Sequence, residues 1–435
     1  MNFAKSNRAI PALLLAALGT VAWDPMALAF QMAPAVGDGS HQAGHVTLPK
    51  VVKGFQVLYQ FPINVMNYSN GGVVHDRGGD LFGVTYSGGA NSYGDVYELT
   101  PSGSSYNLTD IHDFTGPGGD GQYPNTESPY LDGSGNLFLT ATQGGTGNAG
   151  TAIKLSPSGS GYKETAAFAF DTTDGGQPNA SLVKSGPSLY TTTVKGGANG
   201  FGAIVALSSS TLSEKLLYSF AGTPSDGQSP AANLTPDGQG NLFGTTQSGG
   251  SGGGTGCAGV GCGTVFKFVP TKTGGTETVL WNFGLSSNDG ENPFAPPIVD
   301  SAGNLYGTTV YGGVGTTHGT VWKLTLGRGG YAETILYSFG TTGGNNDGCY
   351  PVGGLILRGT TLYGTTSGCG ANGDNGTIFS ISTTGTNYAI LHSFDDTDGK
   401  TPEFATWSFK GRTTLYGTTG AGGVGGTGVV WRFVL

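Results

Sequence analysis

NLYGTTVYGGVGTTHGTVWKL spans residues 304–324, and its opening phrase recurs along the chain. Versions of LYGTT begin at Leu81, Leu137, Leu189, Leu242, Leu305, Leu362 and Leu415, spaced by 56, 52, 53, 63, 57 and 53 residues. A glycine pair follows each copy, from Gly88-Gly89 to Gly422-Gly423, and only Cys369-Gly370 departs from it. A second apolar phrase comes next, such as VYEL at 96–99, VFKF at 265–268 or VWRF at 430–433. A third ends in phenylalanine, as in VLYQF at 57–61 or ILYSF at 335–339. D-G-x-x-P then starts at Asp120, Asp174, Asp226, Asp289, Asp347 and Asp398. A turn such as LDGSGN (131–136) or VDSAGN (299–304) leads into the next LYGTT.

Each phrase is short, rich in β-branched and aromatic residues, and bounded by Gly, Asp, Asn or Pro, the marks of strands and turns. Four strands per period of about 50 residues, repeated many times, indicate a β-propeller. The fold expected is therefore all-β, with four-stranded antiparallel blades. The ends decide their number. The chain enters on a third-phrase strand, residues 55–61, and leaves on a second-phrase strand, residues 428–435. Pairing the two completes a seventh blade and removes two exposed sheet edges. A linear solenoid would leave both end phrases unpaired. The LYGTT phrase reads as scaffold, its Leu and aromatic packing between blades and its Gly letting neighbouring sheets approach.

The pattern NLYGTT, GG, GTVFKL, LYSF, DGxxP resembles the GloVer tandem repeat of bacterial "choice-of-anchor" exported proteins, over residues 55–435. The resemblance implies an exported repeat protein and no particular activity. More distantly, the D-x-x-G-N-L-Y turn is similar to those of NHL and gluconolactonase-like propellers. Because no anchor segment follows the last strand, free secretion or periplasmic residence is expected over surface attachment.

The N-terminus points the same way. Lys5 and Arg8 precede the apolar run PALLLAALGTVAW and an A-x-A site ending at Ala29, which reads as a signal peptide over residues 1–29. Residues 30–54 lack periodicity and are expected to be a flexible lead-in, with the propeller over 55–435. Cleavage would remove Lys5, Arg8 and Asp24, taking the net charge from −9 to −10. With charged residues at only 11%, the acidic balance argues against nucleic acid or an anionic membrane as partner. A monomer is expected.

Antiparallel strands put the DGxxP loops and the GG loops on one face. Cys349 and Cys369 sit in two such loops of one repeat, and Cys257 and Cys262 in an inserted loop, so disulfides 349–369 and 257–262 are expected. Zinc is the alternative for these four, but no histidine stands at ligand spacing. No metal site or cofactor is implied, with a structural calcium left open. The DGxxP aspartates, present in nearly every repeat, read as loop scaffold. His112 and His392 read as surface replacements in the outer strand.

Departures from the repeat are the better functional candidates. Tyr86, Gln143, Lys195, Gln247 and Tyr311 lie beside the GG pairs, and Lys400 lies in a DGxxP loop. They suit a glycan, since Tyr stacks on sugar faces and Gln and Lys offer hydrogen bonds, or a protein ligand. Glu127, Glu291 and Glu403, with His318, are the candidate acid–base groups of the alternative, a carbohydrate-active lyase or hydrolase. No sialidase box and no G-x-S-x-G elbow is present.

Overall fold

The computed structural model describes residues 54–62, 71–103, 105–124, 128–254, 257, 259–315, 317–341, 345–402, 408–410 and 414–435. The proposed signal peptide and nearly all of the lead-in lie outside this set. Seven four-stranded antiparallel blades form a β-propeller. Blade 5 is typical, with strands Ile298–Val299, Leu305–Thr309, Thr320–Gly327 and Gly330–Ser338 in sequence order across the sheet. The strands of blades 1 to 6 span 74–113, 122–169, 183–219, 235–282, 298–338 and 356–393. Blade 7 takes Ser408–Lys410, Thr414–Thr418 and Val429–Val434 from the end of the chain and Phe55–Gln60 from its beginning.

That last strand closes the ring, as the phase of the two ends implied. Phe55 pairs with Phe433, Gln56 with Arg432 and Val57 with Trp431. Its register shifts between Val57 and Tyr59, the outer strands of blades 1 and 3 to 6 carry an equivalent bulge, and that of blade 2 carries one two residues earlier. A bulge twists an edge strand away from further pairing. The Phe61 amide donates to the Gly428 carbonyl just as Phe339 donates to Gly319 and Phe394 to Gly376. The strand from the N-terminus is thus equivalent in detail to those the chain supplies locally.

There is no single core. Seven apolar clusters lie one at each seam between blades. The seam between blades 5 and 6 shows the rule: Tyr306 and Val321 from one sheet meet Leu362, Phe379 and Ile381 from the next. Side chains alternate across a strand, so each LYG phrase sends its Leu to the preceding blade and its aromatic to the following one. Both faces of every sheet are buried.

The phrase glycine has a different role from the one expected. In the sheet Gly83, Gly244, Gly307, Gly364 and Gly417 stand directly opposite Tyr97, Phe266, Trp322, Phe379 and Trp431 of the third strand. A Cβ on Gly307 would lie 2.3 Å from the Trp322 ring. The bare glycine therefore makes room for an aromatic of its own sheet rather than for a neighbouring sheet. The two blades without this glycine show the exchange: Leu139 stands opposite Ile153, and Thr191 opposite Val205. In both, the second strand carries a side chain where its partner on the third strand is not aromatic.

The threonine in the fourth place of the phrase joins blades. Thr140, Thr192 and Thr245 donate through Oγ1 to the carbonyls of Ala180, Ala232 and Ala295, each in the following blade's inner segment, at 2.9–3.0 Å. Thr418 donates to the Gly71 carbonyl at 2.8 Å, carrying the same link across the chain termini. Blade 1 has Val84 at this place.

Pair complementarity predicts strong coupling between Gly307 and Trp322. Gly307→Ala should cost about 1–3 kcal/mol by overpacking, and Trp322→Val about 3 kcal/mol by leaving a cavity. Urea unfolding of the double variant should show a loss well below the sum, because it recreates a pair of the kind found in blade 3. Strict additivity would contradict this account of the glycine.

Candidate functional site

The DGxxP and GG loops do share a face, and short backbone ladders bind them together. Gly227–Gln228 pairs with Ser248–Gly249, and Gly290–Glu291 with Tyr311–Gly312. Gln122 pairs with Gln143, Gly176 with Lys195, Cys349 with Gly368 and Lys400 with Ala421. Blades 2 to 7 thus each present a small rigid platform in place of two independent loops.

The motif's constant residues are committed to this scaffold. Asp226 accepts from the Tyr218 hydroxyl at 2.8 Å and from the amides of Ala221 and Gly227. Asp347 takes the Tyr337 hydroxyl and the Gly340 amide. In blades 1 and 6 the partner is histidine: His112 Nε2 lies 2.7 Å from Asp120, and His392 Nε2 lies 2.9 Å from Asp398. His112 is therefore a loop-closing partner of the repeat aspartate rather than a surface replacement, and His392 stands beside Asp398 at the equivalent place. Bonds to His112 and Thr115 hold the Asp120 carboxyl below the usual range against the opposing effect of burial. The motif prolines clamp blades: a Cβ on Gly94, Gly202 or Gly319 would strike Pro124, Pro230 or Pro351 of the following blade at 2.4–2.7 Å.

One repeat position carries no signal in its residue types. The second x of DGxxP is Tyr123, Gln177, Ser229, Asn292, Tyr350 or Thr401, and each has a φ of 51–57°. Non-glycine residues rarely enter this left-handed region, and a residue before proline is normally extended. Here the strain is held from both sides. The Tyr350 amide donates to the His318 carbonyl of blade 5 at 2.8 Å, and its carbonyl accepts from the Ser367 amide of blade 6 at 3.0 Å. Gln177, Ser229, Asn292 and Thr401 make the corresponding pairs of bonds. Six equivalent, half-buried side chains of varied type are thereby fixed on one face.

The expected site residues fall around these positions. Tyr86, 9% exposed, stacks on Tyr123 with ring centroids 4.9 Å apart. Gln143 accepts from the Gln122 side chain at 2.9 Å. Lys195 is exposed. Gln247 is half-buried, and its backbone joins Ser229 to the Asn292 side chain. Tyr311 meets Tyr350 edge-on at 5.7 Å, and the His318 ring lies 5.8 Å from Tyr350. Burial, then Tyr350, raises the Tyr311 phenol above its ordinary pKa. Tyr311 and Tyr350 also flank an apolar cluster of Ala231, Phe294 and Val310 that spans blades 4 and 5. Glu291 stands opposite Tyr311 in the ladder, and its carboxylate lies beneath the inserted loop at Gly254. Lys400 is half-buried. Glu127 and Glu403 lie outside the described residues.

All four cysteines are paired as expected. Cys257 and Cys262 have Cα atoms 5.1 Å apart, and Cys349 and Cys369 5.4 Å apart. Cys369 keeps the positive φ, 61°, of the glycine it replaces. Disulfides are the chemistry of an oxidising compartment, extracellular or periplasmic. Among the described residues no helix is long and apolar enough to cross a membrane.

The profile of the Gloeobacter/Verrucomicrobia repeat matches residues 35–258 and 255–435. The chain belongs to this repeat family. Solved structures similar to this Gloeobacter/Verrucomicrobia repeat protein are distant. One, from Bacteroides uniformis, is a protein whose suggested activity is 6-phosphogluconolactonase, at 14% identity and TM-score 0.47, covering 78% of this chain and 88% of that one. Another is a functionally unknown protein from Desulfotomaculum acetoxidans, at 14% identity and TM-score 0.44, covering 77% and 88%. Neither carries an argument about activity. No curated protein matches.

On the opposite face, a cleft of about 540 Å³ marks the seam between blades 7 and 1. Its polar wall is internally bonded: Arg432 Nε donates to Gln56 at 2.9 Å, and Tyr416 bonds both Arg432 and Tyr106. It offers a ligand little beyond what the seam already uses.

If the repeat aspartates are scaffold, Asp226→Asn should cost about 1–3 kcal/mol, because an amide cannot accept from all three of these donors. The loss should be the same with and without EDTA in thermal unfolding. A loss that EDTA abolishes would make Asp226 a metal ligand.

Proposed function

We propose that this repeat protein is an exported recognition module whose DGxxP and GG face binds a glycan or a protein ligand. One observation carries the reading. Six residues hold one strained backbone conformation, supported by bonds to two blades, while their side chains vary freely. Strain maintained across a repeat calls for a reason, and presenting side chains on fixed supports supplies one. The constant Asp, Gly, Thr and Pro residues are occupied with scaffold bonds, so the variable residues are the ones left for recognition.

The types present favour a glycan. Tyr86 with Tyr123, and Tyr311 with Tyr350, make two aromatic groups, and Gln122, Gln143, Gln177 and Asn292 bring amide groups. Ring faces with nearby amides match the alternating apolar and hydroxylated surfaces of sugars. Lys195 and Lys400 add positive charge to an otherwise acidic protein. A secreted or periplasmic monomer, released after cleavage near Ala29, fits this role.

The alternative is a carbohydrate-active enzyme using Glu291 with His318 and Tyr311, or Glu127 and Glu403. Adjacency of Glu291 to Tyr311 favours it, while the cover of the inserted loop over Glu291 weighs against it. A polysaccharide panel scored for both retention and product separates the two. The module reading expects retention without turnover, and at least a tenfold loss of affinity for Tyr350→Ala or Tyr123→Ala in variants that remain folded at the assay temperature by circular dichroism. Product formation abolished by Glu291→Gln would overturn it in favour of the enzyme.

A further inference from the structure

Blades 1 and 6 carry a histidine two residues before the phenylalanine of the third phrase, where blades 2 to 5 carry Phe168, Tyr218, Trp281 and Tyr337. Each histidine faces its repeat aspartate, His112 Nε2 at 2.7 Å from Asp120 and His392 Nε2 at 2.9 Å from Asp398. What the following blade brings to them differs. Blade 7 lays the Phe55 ring flat on His392, with centroids 3.8 Å apart. Blade 2 brings Glu164 at the equivalent place, opposite Leu155 as Phe55 is opposite Phe433. One His–Asp pair is covered by a ring, and the other meets a carboxylate.

A ring nitrogen of His112 and one carboxylate oxygen each of Asp120 and Glu164 all lie within 4.8 Å of one another. Asp120 spends Oδ1 on the Thr115 amide and hydroxyl, at 2.8 and 2.6 Å, and turns Oδ2 to His112. Glu164 makes no hydrogen bond among the described residues. Burial, then Asp120, raises its carboxyl above the ordinary range, with His112 opposing. The strand is altered at this residue too. The bulge of blade 2 falls between Glu164 and Ala166, two residues earlier than in the other blades, and a bulge re-aims the side chains beside it. The His112 and Asp120 side chains are 16% and 12% exposed, so an ion can reach them from solvent.

We propose that His112, Asp120 and Glu164 bind one divalent transition-metal ion of the zinc class, clamping blade 1 to blade 2. One imidazole and two carboxylates are the donors that zinc accepts, with three protein ligands and water in a fourth position. Calcium asks for six to eight oxygens, which this cluster does not offer. Donor atoms around a tetrahedral zinc lie about 3.3 Å apart. The cluster brackets that spacing, from 2.7 Å between His112 and Asp120 to at most 4.8 Å, so small side-chain rotations reach it.

His112 ligates as a neutral imidazole through Nε2, with its remaining proton on Nδ1. The ion takes the place of the hydrogen bond between His112 and Asp120 and balances the second carboxylate, which the metal-free seam leaves unpaired. Because the unfolded chain does not hold the three groups together, binding adds to the stability of the closed ring.

Zinc chloride titrated into the untagged, chelator-stripped full chain tests this, read by calorimetry and by thermal unfolding. Wild type should bind zinc and gain several degrees in melting temperature, and calcium chloride at the same concentration should add nothing. Glu164→Gln should weaken binding by roughly a hundredfold, since loss of even a supporting partner costs about 10–100-fold. His392→Gln should leave it unchanged, because Phe55 covers that pair. Absence of zinc binding, an equal response to calcium, equal binding by Glu164→Gln, or an equal loss in His392→Gln would overturn the proposal. Should Glu164→Gln fail to fold, anomalous scattering from zinc-soaked crystals of the wild type decides. A peak between His112, Asp120 and Glu164 supports the clamp, and peaks only elsewhere overturn it.

Discussion

A four-stranded sheet with both faces apolar cannot end in water. That constraint governs everything else in this molecule. Each blade sends the leucine of LYGTT one way and the aromatic the other, so each needs a neighbour on both sides. A row of such sheets would expose one apolar face at each end. Closing the row removes both faces, and a blade built from the two chain ends ties the ring by backbone pairing. Burying apolar surface at about 25 cal/mol per Å² makes the exposed alternative costly at any seam.

Within that ring the repeat separates constant work from variable work. The bare glycine admits the aromatic opposite it, and the threonine beside it in blades such as 4 satisfies an inner carbonyl of the next blade. The DGxxP aspartate closes a loop, its proline rests on the preceding blade, and the residue between them is held in a left-handed turn from two sides. What remains free to differ is the side chain on that turn and its ladder neighbours. Recognition is assigned to those positions because the physics of the ring leaves them unassigned.

Much of this was legible in the sequence, for definite reasons. Strand and turn phrases are local, so LYGTT, DGxxP and the GG pair could be read directly, and the phase of the two ends gave the closure. Cys369 in place of a glycine marked its disulfide. Three things were not legible. The left-handed turn at Tyr123 or Tyr350 depends on carbonyl and amide partners in two blades, and its residue types share no feature. The function of Gly307 depends on Trp322, fifteen residues away, and shows only when strand register is known. His112 and His392 looked incidental because their partner aspartates lie across a loop that must first be folded.

The strand Phe55–Gln60 is the outer strand of the last blade, and hydrogen exchange read by mass spectrometry tests that directly. Amides of residues 55–60 should be protected to the same degree as those of the equivalent outer strand at 330–338, since both sit in the same ladder position with the same bulge. Complete exchange of 55–60 within seconds, with 330–338 still protected, would contradict the closed ring.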